Sequence, residues 1–136
     1  MKTVLFVCVH NAGRSQMAEA FTNRLARERG LAVRAESAGT VVGEAINPTA
    51  VEVMGEVGVP MDGQYPKQLT AERADSADRV ITMGCGVDAE SCPARIRPMI
   101  EDWGLDDPKG QSVHAVRLIR DQIRLKVEAL LAEFAP

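Results

Sequence analysis

The order of apolar and polar residues divides this chain into alternating strands and helices. Thr3–Val7 is continuously apolar or β-branched, the pattern of a strand buried on both faces. The period then changes. From Ser15 onward, Met17, Phe21 and Leu25 recur at four-residue spacing with Arg24, Arg27 and Arg29 elsewhere, which predicts a helix that Gly30 stops. Ala32–Glu36 predicts a second strand, ended by Ser37-Ala38-Gly39. Asn47-Pro48 has the form of an N-cap followed by proline at the first helical position, so a helix is expected over Thr49–Val57 with a stop at Gly58. Residues 60–69, with Pro60, Gly63 and Pro66, predict a loop. Thr70–Ala77 predicts a short helix and Arg79–Met83 a third strand. Arg95–Ile100 predicts a fourth strand, which Pro98 confines to an edge. After Asp106-Asp107-Pro108 comes a long helix with the apolar stripe Val116, Ile119, Ile123, Val127, Leu130 and Phe134.

Strands alternating with helices imply an α/β fold in three layers, a four-stranded parallel sheet covered by helices on both faces. A length of 136 residues suits one domain, spanning 1–136, with one substantial core. In such sheets ligands bind beyond the carboxyl ends of the strands. Cys8 falls at that end of the first strand.

The segment Cys8-Val9-His10-Asn11-Ala12-Gly13-Arg14-Ser15 separates a cysteine from an arginine by five residues, between a strand and a helix. At a helix mouth, backbone N–H groups lack partners and the helix dipole is positive. Both favour a thiolate at Cys8, and Arg14 adds a full positive charge. The same amides and guanidinium suit a tetrahedral oxyanion, which Arg14 can bind through two oxygens. Cys8 is therefore the candidate nucleophile, and Val9, His10, Asn11, Ala12, Gly13, Arg14 and Ser15 are the candidate substrate-binding loop. Asn11 is expected to set a left-handed turn. Ser15 could donate to the thiolate or cap the helix, and His10 is expected to be an exposed loop residue. Glu19 and Ser37 stand between two roles, packing support and polar contacts beneath the loop. Trp103 is expected to anchor packing. Asp107 could act as general acid toward a leaving oxygen, although an Asp-Pro pair taken alone more often marks a turn.

Cys85 and Cys92 follow the third strand, seven residues apart, so all three sulfurs could meet at one edge of the sheet. Two turns of helix would hold their α-carbons roughly 10 Å apart, whereas a disulfide needs about 4.4–6.8 Å. If the segment is helical when reduced, joining the pair requires it to unwind, which Gly84 and Gly86 make easier. Cys92 alone also fits a small buried hydrophobe. The short ligand pairs of a zinc site are missing, so no metal is expected.

A formal net charge of −3 argues against general nucleic-acid binding. No segment has the length of a membrane span or the form of a signal peptide. Three cysteines are an odd number, unlike a secreted disulfide framework. The cytoplasm is the expected compartment.

With these motifs in view, the chain resembles the low-molecular-weight protein tyrosine phosphatase superfamily, and within it the thioredoxin-coupled arsenate reductases. The resemblance runs through Val7–Glu19, Ser37-Ala38-Gly39, Asn47-Pro48, the Cys85/Cys92 segment and Asp102–Pro108. It departs from many members at His10, Ala12 and Gly13, where Gly, Ser or Cys is common. The resemblance implies a triple-cysteine relay. Cys8 attacks arsenate held by the loop and Arg14, with Asp107 assisting a leaving hydroxyl. Cys85 then attacks Cys8 and expels arsenite, and Cys92 attacks Cys85 to leave a Cys85–Cys92 disulfide. Thioredoxin reduces that disulfide, with no bound cofactor and a monomeric enzyme expected. The alternative is a phosphotyrosine phosphatase using Cys8, Arg14 and Asp107, which would have no use for Cys85 or Cys92. An anion- or redox-sensing binding module is a third possibility.

Overall fold

A computed structural model of the chain describes residues 1–84 and 92–135. The elements in order are β1 (Lys2–Cys8), α1 (Arg14–Glu28), β2 (Val33–Gly39), α2 (Pro48–Glu56), α3 (Ala71–Asp75), β3 (Arg79–Thr82), β4 (Ile100–Asp102) and α4 (Val113–Ala132). The four strands form one parallel sheet in the order β2-β1-β3-β4. The expected α/β architecture is therefore present, with β4 at an edge.

Strand β1 is central because both of its faces are apolar. Val4, Phe6 and Cys8 point into the larger core, with Met17 and Phe21 of α1, Val53 of α2 and Val116, Ile123 and Val127 of α4. Leu5 and Val7 point to the other face, against Ala74 of α3, Val80, Cys92 and Ile96. Phe6 and Phe21 have no exposed surface; truncating either to alanine would cost about 3–5 kcal/mol. Trp103 packs on Phe6, ring centroids 5.4 Å apart, as a packing anchor should.

Helix boundaries follow local chemistry. Asn47 caps α2, its Oδ1 accepting from the N–H groups of Thr49 (2.8 Å) and Ala50 (3.3 Å), with Pro48 just inside. Thr70 and Ser112 cap α3 and α4 through their hydroxyls. Helix α1 differs: its cap position is Gly13, and no side chain caps it. Its first N–H groups are thus left facing the loop that follows Cys8.

Three boundaries depart from the sequence expectation. β2 continues through Ser37-Ala38-Gly39, because these residues pair with Phe6, Val7 and Cys8 of β1. The strand expected over Arg95–Ile100 begins only at Ile100; Arg97–Met99 form a 3₁₀ turn, where the fixed φ of Pro98 is at home. Phe134 lies in the turn after α4 rather than on the helix, although it still packs against the core. No helix among the described residues is long and apolar enough to cross a membrane.

Candidate active site

The loop after β1 wraps around Cys8 because its carbonyls are all held on the outside. Those of Cys8, Val9 and His10 accept from the N–H groups of Thr40 (3.1 Å), Val41 (2.8 Å) and Gly43 (2.9 Å). Ala12 O accepts from Asn47 N–H at 2.7 Å, and Gly13 O from Met17 N–H at 3.0 Å. Asn11 O accepts from Gln16 Nε2 at 3.0 Å. Every carbonyl from Cys8 to Gly13 is thus engaged, and the loop N–H groups are the ones left for an anion.

Asn11 supplies the turn. It is fully buried and is the one non-glycine residue with positive φ (54°) among the described residues, as the sequence led us to expect. Its N–H donates to Cys8 Sγ at 3.1 Å. Its Nδ2 donates to Ser15 Oγ at 2.8 Å, and Ser15 Oγ lies 2.9 Å from Cys8 Sγ. A Cys8 thiolate can only accept, so in that form Ser15 donates to the sulfur while accepting from Asn11. Of the two roles open to Ser15, the structure supports donation to the thiolate and not capping.

Arg14 is buried, with Nη1 donating to Leu105 O (2.6 Å) and Met83 O (3.1 Å). These bonds fix the guanidinium plane at the mouth of the loop. Asp107 Oδ2 lies 3.8 Å from Arg14 Nη2. Asp107 Oδ1 also accepts from Lys109 N–H at 3.0 Å, so this residue makes the expected turn and reaches the site as well. Cys8, Val9, His10, Ala12, Gly13, Arg14 and Asp107 line a cavity of about 740 Å³, closed on its other sides by Ala45, Ile46, Pro48 and Pro108. No Phe, Tyr or Trp lines it among the described residues. Asn11 and Ser15 lie beneath it. His10 is exposed and bonded through Nδ1 to Val41 O at 2.8 Å.

Cys92 is not among the residues that line this cavity. Cys92 is buried on the opposite face of the sheet from Cys8, beside Val7 and Ile96. This is where a small hydrophobe belongs, and the sheet stands between Cys92 and Cys8, whose sulfurs the sequence allowed to converge. Cys85, and the expected helical spacing from Cys85 to Cys92, lie outside the described residues.

Sequence reasoning offered Glu19 and Ser37 as polar contacts beneath the loop but missed Gln16, Gln64 and Lys67, which build the layer with them. Gln16 Nε2 donates to Asn11 Oδ1 (2.9 Å) and to Tyr65 O (2.9 Å), and Lys67 N–H also donates to Asn11 Oδ1 (2.8 Å). Gln64 holds Gln16 in turn, its Nε2 donating to Gln16 Oε1 at 2.8 Å. Glu19 accepts from Ser37 Oγ at 2.9 Å and lies 3.7 Å from Lys67 Nζ. Burial pushes the Glu19 carboxyl above its ordinary range, and the Lys67 charge and Ser37 hydroxyl pull it back.

A parallel sheet whose first strand feeds a cysteine into an anion-binding loop, closed by an arginine at a helix start, defines a cysteine-dependent oxyanion site. The chain belongs to the low molecular weight phosphotyrosine protein phosphatase family, whose pattern matches residues 3–135. A putative arsenate reductase of Halobacterium salinarum is 42% identical, over 96% of this chain and 92% of its own. A glutaredoxin arsenate reductase of Synechocystis is 38% identical, over 99% of this chain and 100% of its own. Among solved structures, an arsenate reductase in its phosphate-binding state superposes with a TM-score of 0.84 at 38% identity, covering 99% of this chain and 100% of that one.

Proposed function

We propose that this protein reduces arsenate to arsenite, with Cys8 as nucleophile and Cys85 and Cys92 as successive resolving thiols. One observation carries the reading: Cys8 Sγ accepts from Asn11 N–H and sits against Ser15 Oγ inside a loop whose carbonyls all point away. The full-length relatives named for arsenate reduction support it. The Cys8 thiolate attacks arsenic held by the loop N–H groups and Arg14, and a hydroxyl leaves as water with a proton from Asp107. Cys85 attacks Cys8 Sγ; the S–As electron pair passes to arsenic, which departs as arsenite, and a Cys8–Cys85 disulfide remains. Cys92 attacks Cys85 Sγ and releases the Cys8 thiolate, forming a Cys85–Cys92 disulfide. Cys8 and Cys92 need never meet in this sequence, so their separation by the sheet is compatible with it. Cys92 must leave its apolar bed for its step.

A dithiol protein of the thioredoxin class then returns both electrons. The name of the Synechocystis relative points to glutaredoxin as the other candidate. No bound cofactor or metal enters the scheme, which suits a monomer in a reducing cytoplasm. Phosphotyrosine hydrolysis would use the same Cys8, Arg14 and Asp107, and the family name favours considering it. Among the described residues the cavity is lined by no Phe, Tyr or Trp to stack on a phenol, and hydrolysis gives Cys85 and Cys92 no task. The deciding experiment measures NADPH consumption with arsenate, with thioredoxin and its reductase in one arm and glutaredoxin with glutathione in the other. Arsenate-dependent turnover in either arm, lost in Cys8→Ser, supports the reading. No turnover in both arms, with p-nitrophenyl phosphate hydrolysed efficiently, would overturn it.

A further inference from the structure

Lys67 is a loop lysine whose side chain is only 11% exposed, and it touches nothing in the substrate cavity. Its ammonium lies 3.7 Å from Glu19 Oε1, donates to Tyr65 O at 2.9 Å and sits 5.1 Å over the Tyr65 ring. Glu19 belongs to α1 and is also held by Ser37 of β2, so one buried carboxylate joins the helix, the strand and the 64–67 loop. The backbone N–H of the same lysine donates to Asn11 Oδ1 at 2.8 Å. Asn11 Nδ2 donates to Ser15 Oγ, and Ser15 Oγ meets Cys8 Sγ. An unbroken path of hydrogen bonds therefore runs from the Lys67 backbone to the nucleophile, and the Lys67 side chain anchors its far end.

We propose that Lys67 is a positioning residue: its ammonium, seated on Glu19, pins the 64–67 loop so that Asn11 and Ser15 stay aimed at Cys8. The amide plane of Asn11 is set by what its Oδ1 accepts. Without Lys67 N–H at that oxygen, only Gln16 fixes the plane, and Nδ2 and the Ser15 hydroxyl lose their alignment on the sulfur. The thiolate is then less well held. Without the Lys67 ammonium, Glu19 also loses its cation, a separate and purely structural penalty.

The two effects separate experimentally. The inference rests on Cys8 being the nucleophile of an oxyanion site, but not on arsenate being the oxyanion, so the readout uses neither arsenate nor a reductant. The full chain is alkylated with iodoacetamide across pH, modification of Cys8 is followed by peptide mass spectrometry, and melting is recorded in parallel. In Lys67→Met the midpoint of Cys8 alkylation should move up by about one pH unit, slowing the reaction about tenfold at pH values well below the wild-type midpoint. Glu19→Gln/Lys67→Met removes the orphaned carboxylate, so melting should recover while the Cys8 midpoint stays raised. A midpoint unmoved in Lys67→Met, or one that returns together with melting in the double variant, overturns the proposal. Should Lys67→Met fail to fold, the double variant decides alone: a raised midpoint supports the proposal and a wild-type midpoint defeats it. An enzyme inactive toward arsenate with the expected alkylation shift would sink the arsenate reading and leave the role of Lys67 standing.

Discussion

Ser15 Oγ lies 2.9 Å from Cys8 Sγ while accepting a hydrogen bond from Asn11 Nδ2, so toward a Cys8 thiolate, which can only accept, Ser15 is the donor. A bond of this kind to a charged acceptor contributes about 1.5–3 kcal/mol. Ser15→Ala removes it and leaves helix α1 intact, because Ser15 does not cap that helix. The expected outcome is a loss of about ten- to hundredfold in kcat/KM, at about 1.4 kcal/mol per factor of ten. The pH profile of Cys8 alkylation should shift upward in parallel. A variant with full activity and an unshifted profile would show that Asn11 N–H and the loop suffice.

Gly39 ends β2 directly beneath the anion loop. A Cβ there would lie 2.6 Å from Val9 O and 3.0 Å from Asn11 N, both backbone atoms that cannot swing aside. Gly39→Ala should therefore destabilise the protein by about 1–3 kcal/mol and weaken phosphate binding measured by titration calorimetry. Gly55, in the last turn of α2, has open space around it. Gly55→Ala should instead stabilise by about 0.5–1 kcal/mol through helix propensity. Equal melting effects at the two positions would contradict this account of Gly39.

The division of the chain into elements was legible because both periods were clean. The continuous apolar run before Cys8 and the four-residue spacing after Ser15 admit one reading each. Asn47-Pro48 marked its helix start for the same local reason. Pro98 announced an irregularity but not its form, since a proline at an edge strand and one in a 3₁₀ turn look alike in sequence. In the site, Cys8, Asn11 and Ser15 were readable because their neighbours in sequence are also their partners in space, and Arg14 was readable from its spacing to Cys8 although its own partners are distant. Lys67 and Gln64 were not, because a glutamine after Gly63 and a lysine after Pro66 in a loop look solvated. Only the folding of residues 60–69 back onto α1 gives them a role. Asp107 showed both of its faces: the turn is local chemistry, while its approach to Arg14 is set by tertiary placement.

The proposed relay makes a prediction about Cys92. With Cys92→Ser the first two steps should run once and stop, because no thiol is left to open the Cys8–Cys85 disulfide. The expected product is about one arsenite per enzyme, with peptides containing Cys8 and Cys85 joined in the mass spectrum. Cys92 lies in an apolar cluster with Leu5, Val7 and Ile96, so the serine variant should also melt somewhat lower. Sustained cycling of Cys92→Ser with thioredoxin would remove Cys92 from the relay and leave it as a packing residue.

Away from the site, Glu56 ties α2 to α4. Its carboxylate accepts from Arg117 Nε at 3.0 Å and Nη2 at 2.7 Å, and from Arg120 Nη1 at 3.0 Å. The hydrogen bond from Arg117 leads in drawing the Glu56 pKa below its ordinary value; Arg117 and Arg120 charges add to it and desolvation opposes it. A carboxyl whose folded pKa is depressed contributes stability above the unfolded value, about 4.3, and loses it as pH falls through the folded one. Glu56→Gln should therefore lower the melting temperature at pH 7, and the gap to wild type should narrow below about pH 4.3 and close in stronger acid. The group is solvent-exposed, so added salt should also shrink the gap. Arg120 keeps Val53 O at 3.0 Å and Asp121 Oδ1 at 2.9 Å in the variant, which limits the loss to the Glu56 contacts. A melting difference that persisted unchanged from pH 7 into strong acid would assign the effect to packing between the helices and not to ionisation of Glu56.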